Sequence, residues 1–176
     1  MKKEQQGFTL IELVVVISIL SILAAFAIPR FMQAQQNAHN ATIEGAGGAL
    51  AAGVMLTHAQ WVVNGGIANP TNGNNDDLVG FGLGTLDMTN GNGGGNQAGW
   101  PAGIDGGNGS NPSNQDCIDI WQGVLKEGAP TVSTANTTDY DATSPGTTCV
   151  YRYTRDGRNS TITYNLADGS VITVLN

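Results

Sequence analysis

Charge is scarce in this sequence, and positive charge scarcest of all. Only 12% of the 176 residues are charged, and 7 Lys and Arg stand against 14 Asp and Glu, a formal net charge of -7 at pH 7. No basic residue occurs between Arg30 and Lys126, an interval that holds Glu44, Asp76, Asp77, Asp87, Asp105, Asp116 and Asp119. Binding of nucleic acid by counterion release needs clustered Lys and Arg, so this part is not expected to have a nucleic-acid partner. Histidine is limited to His39 and His58, with no HExxH, no adjacent Cys and no nucleophile-elbow motif, so the chain is not expected to be an enzyme and both histidines are read as solvent-facing. Cysteine is limited to Cys117 and Cys149, whose spacing is not C-x-x-C and which have no nearby His, so a redox or metal role is not expected either. If the domain lies outside the cytoplasm, an even pair in an oxidising compartment is joined, and a loop of about thirty residues closed this way contributes roughly 3 to 4 kcal/mol.

Against these absences stands one long apolar run, GFTLIELVVVISILSILAAFAIP, from Gly7 to Pro29. Phe8 to Ile28 as a helix is about 30 Å long, the thickness of the hydrocarbon layer of a bilayer. Lys2 and Lys3 precede it, which favours an orientation with the N-terminus inside and the rest of the chain outside. No A-x-A site closes the run, so a retained helix is expected rather than a cleaved secretory signal. Glu12 lies within the run with no Lys, Arg or His as a side-chain partner, and a lone charge deep in a membrane costs about 2.5 to 3.5 kcal/mol. Pro29 has no N-H and crowds the carbonyl of Ala25, which predicts a kink or local melting around Ala25 to Pro29. Helical character resumes from Arg30 to about Val62, with Phe31, Ala34, Ala38, Ala41, Ala49, Ala52 and Met55 as a thin apolar face. Gly45, Ala49 and Gly53 recur at a spacing of four, a smooth strip on which another backbone, of the chain's own sheet or of a second subunit, can approach closely.

The residues Gly7-Phe8-Thr9-Leu10-Ile11-Glu12 and the apolar stretch after them resemble the class III signal of type IV pilins and of the pseudopilins of type II secretion. Within that group, PRFMQAQQNAHNATIEGAGGAL and CIDIWQGVL are most similar to pilins of the mannose-sensitive haemagglutinin class. The resemblance implies cleavage by a prepilin peptidase between Gly7 and Phe8, N-methylation of Phe8, and Glu12 as the fifth residue of the mature chain. It implies an inner-membrane precursor, an inner-membrane assembly machinery as partner, and an extracellular homo-oligomeric filament. Cleavage would create a cation at Phe8, because an α-amino group with a reference pKa of about 8 stays largely protonated at neutral pH. One turn separates that amine from Glu12, and a carboxylate also favours the N-terminal end of a helix dipole. Neutralisation is then either internal or between the Glu12 of one subunit and the Phe8 amine of the preceding one; the alternative is that Glu12 snorkels to the headgroups. Phe8, Glu12 and Pro29 are therefore the candidate assembly residues, and Gly7 and Phe8 the processing residues.

About half of the residues from 64 to 116 are Gly or Asn, which reads as a long loop wrapped over the surface, with Leu78 to Leu86 docked by Phe81. Asp76, Asp77, Asp105 and Asp116 have the oxygen chemistry for Ca2+ but match no EF-hand spacing, so no metal site is assigned and structural calcium is only an alternative. GNGGGN, from Gly91 to Asn96, has neither the strand, the helix start nor the Lys of a phosphate-binding loop. After Cys117, the residues Ile118, Trp121 and Leu125 predict a short helix whose Trp121 plugs the core. CVYRYT, STITYNL and SVITVL, joined through Asp156-Gly157 and Asp168-Gly169, predict an antiparallel meander of three strands, or four with a piece from the middle region. Lys126 and Glu127 read as a solvated pair. Arg152, Arg155 and Arg158 form a basic patch that faces water or an acidic loop of a neighbour.

The fold class is therefore α+β: a long N-terminal helix with a small antiparallel sheet packed on its outer half. The organisation expected is a leader at 1–7, a transmembrane and filament-core helix at 8–30, and a globular domain at 31–176. That domain divides into a helix continuation at 31–62, a loop region at 64–116 and a stapled meander at 117–176. The leading function is a structural subunit of a type IV pilus serving surface attachment. The alternatives are a pseudopilin of type II secretion and a signal-anchored periplasmic protein.

Overall fold

A computed structural model describes residues 7–66, 78, 86–90, 98–104, 111–125 and 128–176. The helix α1 (Leu10–Val63) is followed by β1 (Asp87–Asn90), β2 (Ala98–Gly103), α2 (Asn114–Val124), β3 (Val132–Ser133), β4 (Tyr140–Thr143), β5 (Thr148–Tyr153), β6 (Thr161–Asn165) and β7 (Val171–Val174). The chain divides into two compact units, one ending at Ala38 and the other running from His39 to Asn176.

The first unit is helix with its apolar side chains bare: Phe8 is 89% exposed and Phe26 75%. An 18-residue window of α1 near the N-terminus reaches a mean hydropathy of 2.8, so by length and composition the helix can cross a membrane. Its two serines return their hydroxyls to the backbone, Ser18 to the carbonyl of Val14 and Ser21 to that of Ile17, each at 2.7 Å. Such back-bonding leaves no hydroxyl unpaired in hydrocarbon. Helix continues through Pro29, so local melting at Ala25 to Pro29 does not occur. The missing N-H removes one hydrogen bond of the ladder, and the turns on both sides hold the helix across the gap.

In the second unit α1 buries Ile43, Ala46, Gly47, Leu50, Gly53, Val54 and Thr57. These recur at intervals of three and four, a stripe of one helical face. The face expected from the alanines is the wrong one, because Ala41, Ala49, Ala52 and Met55 are exposed. Branched side chains provide more apolar area per position than alanine, and they decide which side turns inward. The strip of small residues is divided too: Gly53 is buried, whereas Gly45 and Ala49 face outward.

The main sheet has the order β3-β4-β5-β6-β7, antiparallel except for the parallel pairing of the two-residue β3 with β4. The meander β5-β6-β7 is as expected, with Cys149 opposite Tyr164 and Ile162 opposite Thr173. The fourth strand comes from Tyr140–Thr143, between the two cysteines, rather than from the middle region. Inward positions alternate along β5 and β6 as Cys149, Tyr151, Tyr153 and Ile162, Tyr164. Both turns are built by aspartate: Asp156 Oδ1 accepts from the Arg158 amide at 3.1 Å and Asp168 Oδ1 from the Ser170 amide at 2.9 Å. Gly169 has φ of 73°, and a Cβ there would overlap the ring of Trp100, so the turn needs glycine for conformation and for space.

Part of the presumed loop is ordered as a hairpin of β1 and β2, with Leu86, Met88, Trp100 and Ala102 buried. AGWPAG contains no β-branched residue, and the extended conformation is held from outside. Tyr164 donates to the carbonyl of Pro101 at 2.9 Å, and the Trp100 amide donates to Thr89 Oγ1 at 3.0 Å. Leu78 and Leu86 are buried and joined by a backbone hydrogen bond, while Phe81, the GNGGGN run, Lys126 and Glu127 lie outside the described residues.

A tight contact of α1 with α2 supplies a test. A Cβ at Gly53 would collide with Val124 Cγ1 and come within 3.2 Å of the Val124 carbonyl oxygen, whereas at Gly48 it would meet nothing within 4 Å. Gly53→Val is expected to cost about 1 to 3 kcal/mol by overpacking. Gly48→Ala is expected to be neutral or stabilising by up to about 1 kcal/mol through helix propensity. Urea unfolding of the full chain in detergent, followed by tryptophan fluorescence, measures both.

Candidate assembly site

The head of α1 is where the predicted processing and assembly residues lie. Gly7, Phe8 and Thr9 precede the helix and are exposed, and α1 begins at Leu10. Glu12 Oε2 accepts from the Thr9 amide at 2.9 Å and from the Thr9 hydroxyl at 2.8 Å, while the Glu12 amide points back at Thr9 Oγ1, 3.4 Å away. This reciprocal arrangement is a capping box, T-x-x-E, which satisfies helix-end donors that have no partner within the helix. Its signal stands in the sequence as Thr9-Leu10-Ile11-Glu12 ahead of an apolar run, a partner for Glu12 that an account by charge alone omits. Glu12 is thus held at the positive end of the helix dipole with one oxygen committed to Thr9. Pro29, the third assembly candidate, lies 17 residues further along the same helix and is exposed.

The rest of the predicted residues belong to the sheet domain. Cys117 and Cys149 form a disulfide with 5.4 Å between Cα atoms, joining α2 to β5, and both are buried. Ser113 and Asp116 begin α2 with a second capping box: the Asp116 amide donates to Ser113 Oγ at 3.1 Å, and the Ser113 amide to Asp116 Oδ2 at 2.6 Å. Asp116 therefore serves a helix end, and Asp76, Asp77 and Asp105 lie outside the described residues. Among the described residues no three His, Cys, Asp or Glu side chains converge as a metal site. Trp121 fills the core as expected, its ring centroid 4.9 Å from Tyr140 and 4.7 Å from Tyr151, and its Nε1 donates to the carbonyl of Pro130 at 2.9 Å. The Tyr151 hydroxyl donates to the Cys117 carbonyl at 2.8 Å, linking the aromatic cluster to the disulfide.

The two histidines are not solvent-facing. His58 stacks on Trp100 with centroids 4.1 Å apart and has Nδ1 2.7 Å from the Gly99 carbonyl; His39 Nδ1 lies 3.0 Å from the Tyr153 hydroxyl. The three arginines are not a free patch either. Arg152 pairs with Asp141 at 2.8 Å, Arg155 with Asp139 at 2.8 Å and Arg158 with Asp156 at 3.1 Å. Arg158 also donates to Asn40 Oδ1 at 2.6 Å, fastening the hairpin turn to α1. Sequence spacing could not show these pairs, because two of the three acids come from β4 and the segment before it.

Comparison with known proteins adds three findings. Residues 2–28 match the prokaryotic N-terminal methylation motif. The chain is 40% identical over 89 residues to the type IV major fimbrial protein FimA of Dichelobacter nodosus, covering 47% of this chain and 52% of that protein. A fimbrial protein of Dichelobacter nodosus is 64% identical over 31 residues, 18% of this chain and 19% of its own length. The chain thus spans about half the length, or less, of the curated relatives it matches. No solved structure matches the chain. An exposed apolar helix with a methylation motif at its head, followed in the chain by a disulfide-stapled sheet, is consistent with the layout of a type IV pilin, and the matched stretches are similar to fimbrial proteins. The relatives are named as fimbrial proteins.

The domain's titrating groups set its pH limits. The Thr131 hydroxyl, with Arg155, holds the Asp139 carboxyl below the usual carboxylate range, and Ser170 does the same for Asp168. Unfolded, these acids take up protons at higher pH than they do when folded, so their stabilisation is lost as pH falls below about 4. Burial pushes the Tyr140, Tyr151 and Tyr164 phenols up. The unfolded phenols ionise near pH 10 and the folded ones do not, so stability is also lost as pH rises beyond about 10. Urea midpoints from pH 2 to 11 are expected to fall at both ends, and Asp139→Asn to flatten the acid limb alone.

Proposed function

We propose that this chain is a structural subunit of a type IV fimbria, made as a membrane-anchored precursor and assembled outside the cell into a filament of identical chains. Prepilin peptidase cuts between Gly7 and Phe8, the new amine is methylated, and an inner-membrane machinery draws the subunit into the fibre. The observation that carries the reading is the conjunction at residues 2–28 of the methylation motif with a bare apolar helix headed by a carboxylate. The apolar surface needs hydrocarbon around it, first from lipid and then from neighbouring helices. Glu12 keeps an oxygen available beyond its bonds to Thr9, and the amine of a processed Phe8 in the preceding subunit is its partner in the filament. Pro29 weakens the hydrogen-bond ladder at the boundary between the anchor and the rest of the helix, where a subunit leaving the bilayer needs local compliance.

A finer reading places the fibre in the mannose-sensitive haemagglutinin class and gives it surface attachment as its role. It rests on the likeness of residues 29–50 and 117–125 to that class.

The test begins with the mass and N-terminal residue of the protein recovered from sheared cell-surface fibres. A chain starting at methylated Phe8 is expected; one still starting at Met1 would overturn the reading. Glu12→Ala is expected to insert into the membrane normally and to lower the fibre yield at least tenfold. Fibres from that variant at the normal level would remove Glu12 from assembly.

A further inference from the structure

Among the described residues of the first unit, Arg30 is the one basic side chain, and it stands at the edge of the apolar surface. From Leu13 to Pro29 no residue carries a formal charge, and the side chains are apolar apart from the two serines bonded to the backbone. Phe31 and Met32 are the last large apolar side chains of this unit; Gln33, Gln35, Gln36 and Asn37 follow, all exposed. A guanidinium at that level sits where a surface suited to hydrocarbon gives way to one suited to water.

Continuity of the helix fixes the level. Because α1 runs through Pro29 without a break, Glu12 and Arg30 are eighteen residues of one helix apart, about 27 Å along the axis. The hydrocarbon layer of a bilayer is about 30 Å thick. An acid held near one boundary of the layer therefore puts Arg30 near the other, whereas melting at Pro29 would have left its height undefined.

The described structure gives this side chain no partner of its own. Arg152, Arg155 and Arg158 each pair with an aspartate, but Arg30 is exposed and makes no ion pair among the described residues. Its place also runs against the orientation bias: Lys2 and Lys3 favour the inside, and a cation after the span is carried to the outside. A positive charge kept there calls for a negative group on that side. Phospholipid headgroups present a layer of anionic oxygens at this level, and a guanidinium offers five donors in a planar fork that takes two phosphate oxygens at once.

We propose that Arg30 binds phospholipid phosphate at the outer surface of the membrane and holds the anchored precursor at a fixed depth. The inference rests on α1 as a membrane anchor and not on the fibre. The aliphatic stem of Arg30 lies along apolar helix while its charged head reaches the phosphates. An apolar helix alone slides or tilts at small cost, so this contact is what sets the depth.

Lipid exchange tests the contact. The two cysteines of the chain are joined to each other, so Ala27→Cys gives a full-length chain with one free thiol, three residues before Arg30. That chain, inserted in vesicles with its sheet domain outside, is labelled from outside with a charged maleimide. One set of vesicles is phosphatidylethanolamine with phosphatidylglycerol; the other is galactolipid, which has no phosphate. Adding Arg30→Gln is expected to change the labelling rate at least about threefold in phospholipid and to leave it unchanged in galactolipid, the non-additivity that a direct contact produces. Equal effects in the two lipids, or none in either, overturn the contact and leave the anchor intact. Inorganic phosphate added to the galactolipid vesicles is expected to do nothing; if it restores the phospholipid rate, Arg30 is a site for free phosphate and the lipid contact is overturned. An unaltered chain that inserts into neither lipid overturns the anchor and the contact together.

Discussion

A helix whose first half is coated with hydrocarbon on every side imposes the constraint from which the other features follow. Its described side chains are exposed, and so much bare apolar surface favours an apolar environment. An apolar environment penalises charge, and between Leu10 and Val63 the helix carries only Glu12, Arg30 and Glu44. Thr9 and Glu12 show how the penalty is limited within one molecule: the carboxylate is placed at the end of the dipole that favours it and bonded to the residue that begins the helix.

The second half of the helix meets a different requirement. A domain rich in glycine and asparagine loses much entropy on folding and has few apolar side chains with which to offset it. It concentrates what it has: Trp121, Tyr140, Tyr151 and Tyr164 are fully buried, and the disulfide between α2 and β5 lies beside them. The Tyr151 hydroxyl, the Tyr164 hydroxyl and the Trp121 ring nitrogen donate to the carbonyls of Cys117 in α2, Pro101 in β2 and Pro130, so these side chains tie separate segments together. Three Arg–Asp pairs tie the strand ends and turns at the surface; the most exposed of them, Arg155 with Asp139, contributes under about 1 kcal/mol.

Much of this was legible beforehand. The apolar run, the cysteine pair, the two Asp-Gly turns and the three C-terminal strands are local patterns, and local patterns survive folding when nothing nearby contradicts them. The misreadings share a cause. Alanine spacing points to the wrong inward face of α1, composition points the histidines and arginines to water and β1 and β2 to loop, because in each case the deciding partner is distant in sequence. His58 is ordered by Trp100, Arg152 by Asp141, and AGWPAG by Tyr164 and Thr89. The capping box at Thr9 is the exception, a local signal that the sequence itself carries.

What the sequence by itself determined is the helix, its membrane-scale length, the acid near its head and the strands with their turns, since periodicity, composition and turn chemistry act over a few residues. Which side of α1 faces the sheet, where the fourth strand comes from and which charges are consumed inside the domain were decided only by tertiary structure. Those outcomes depend on filling one shared volume while pairing most of the polar groups it buries, a requirement set by the folded molecule as a whole and by no segment of it alone.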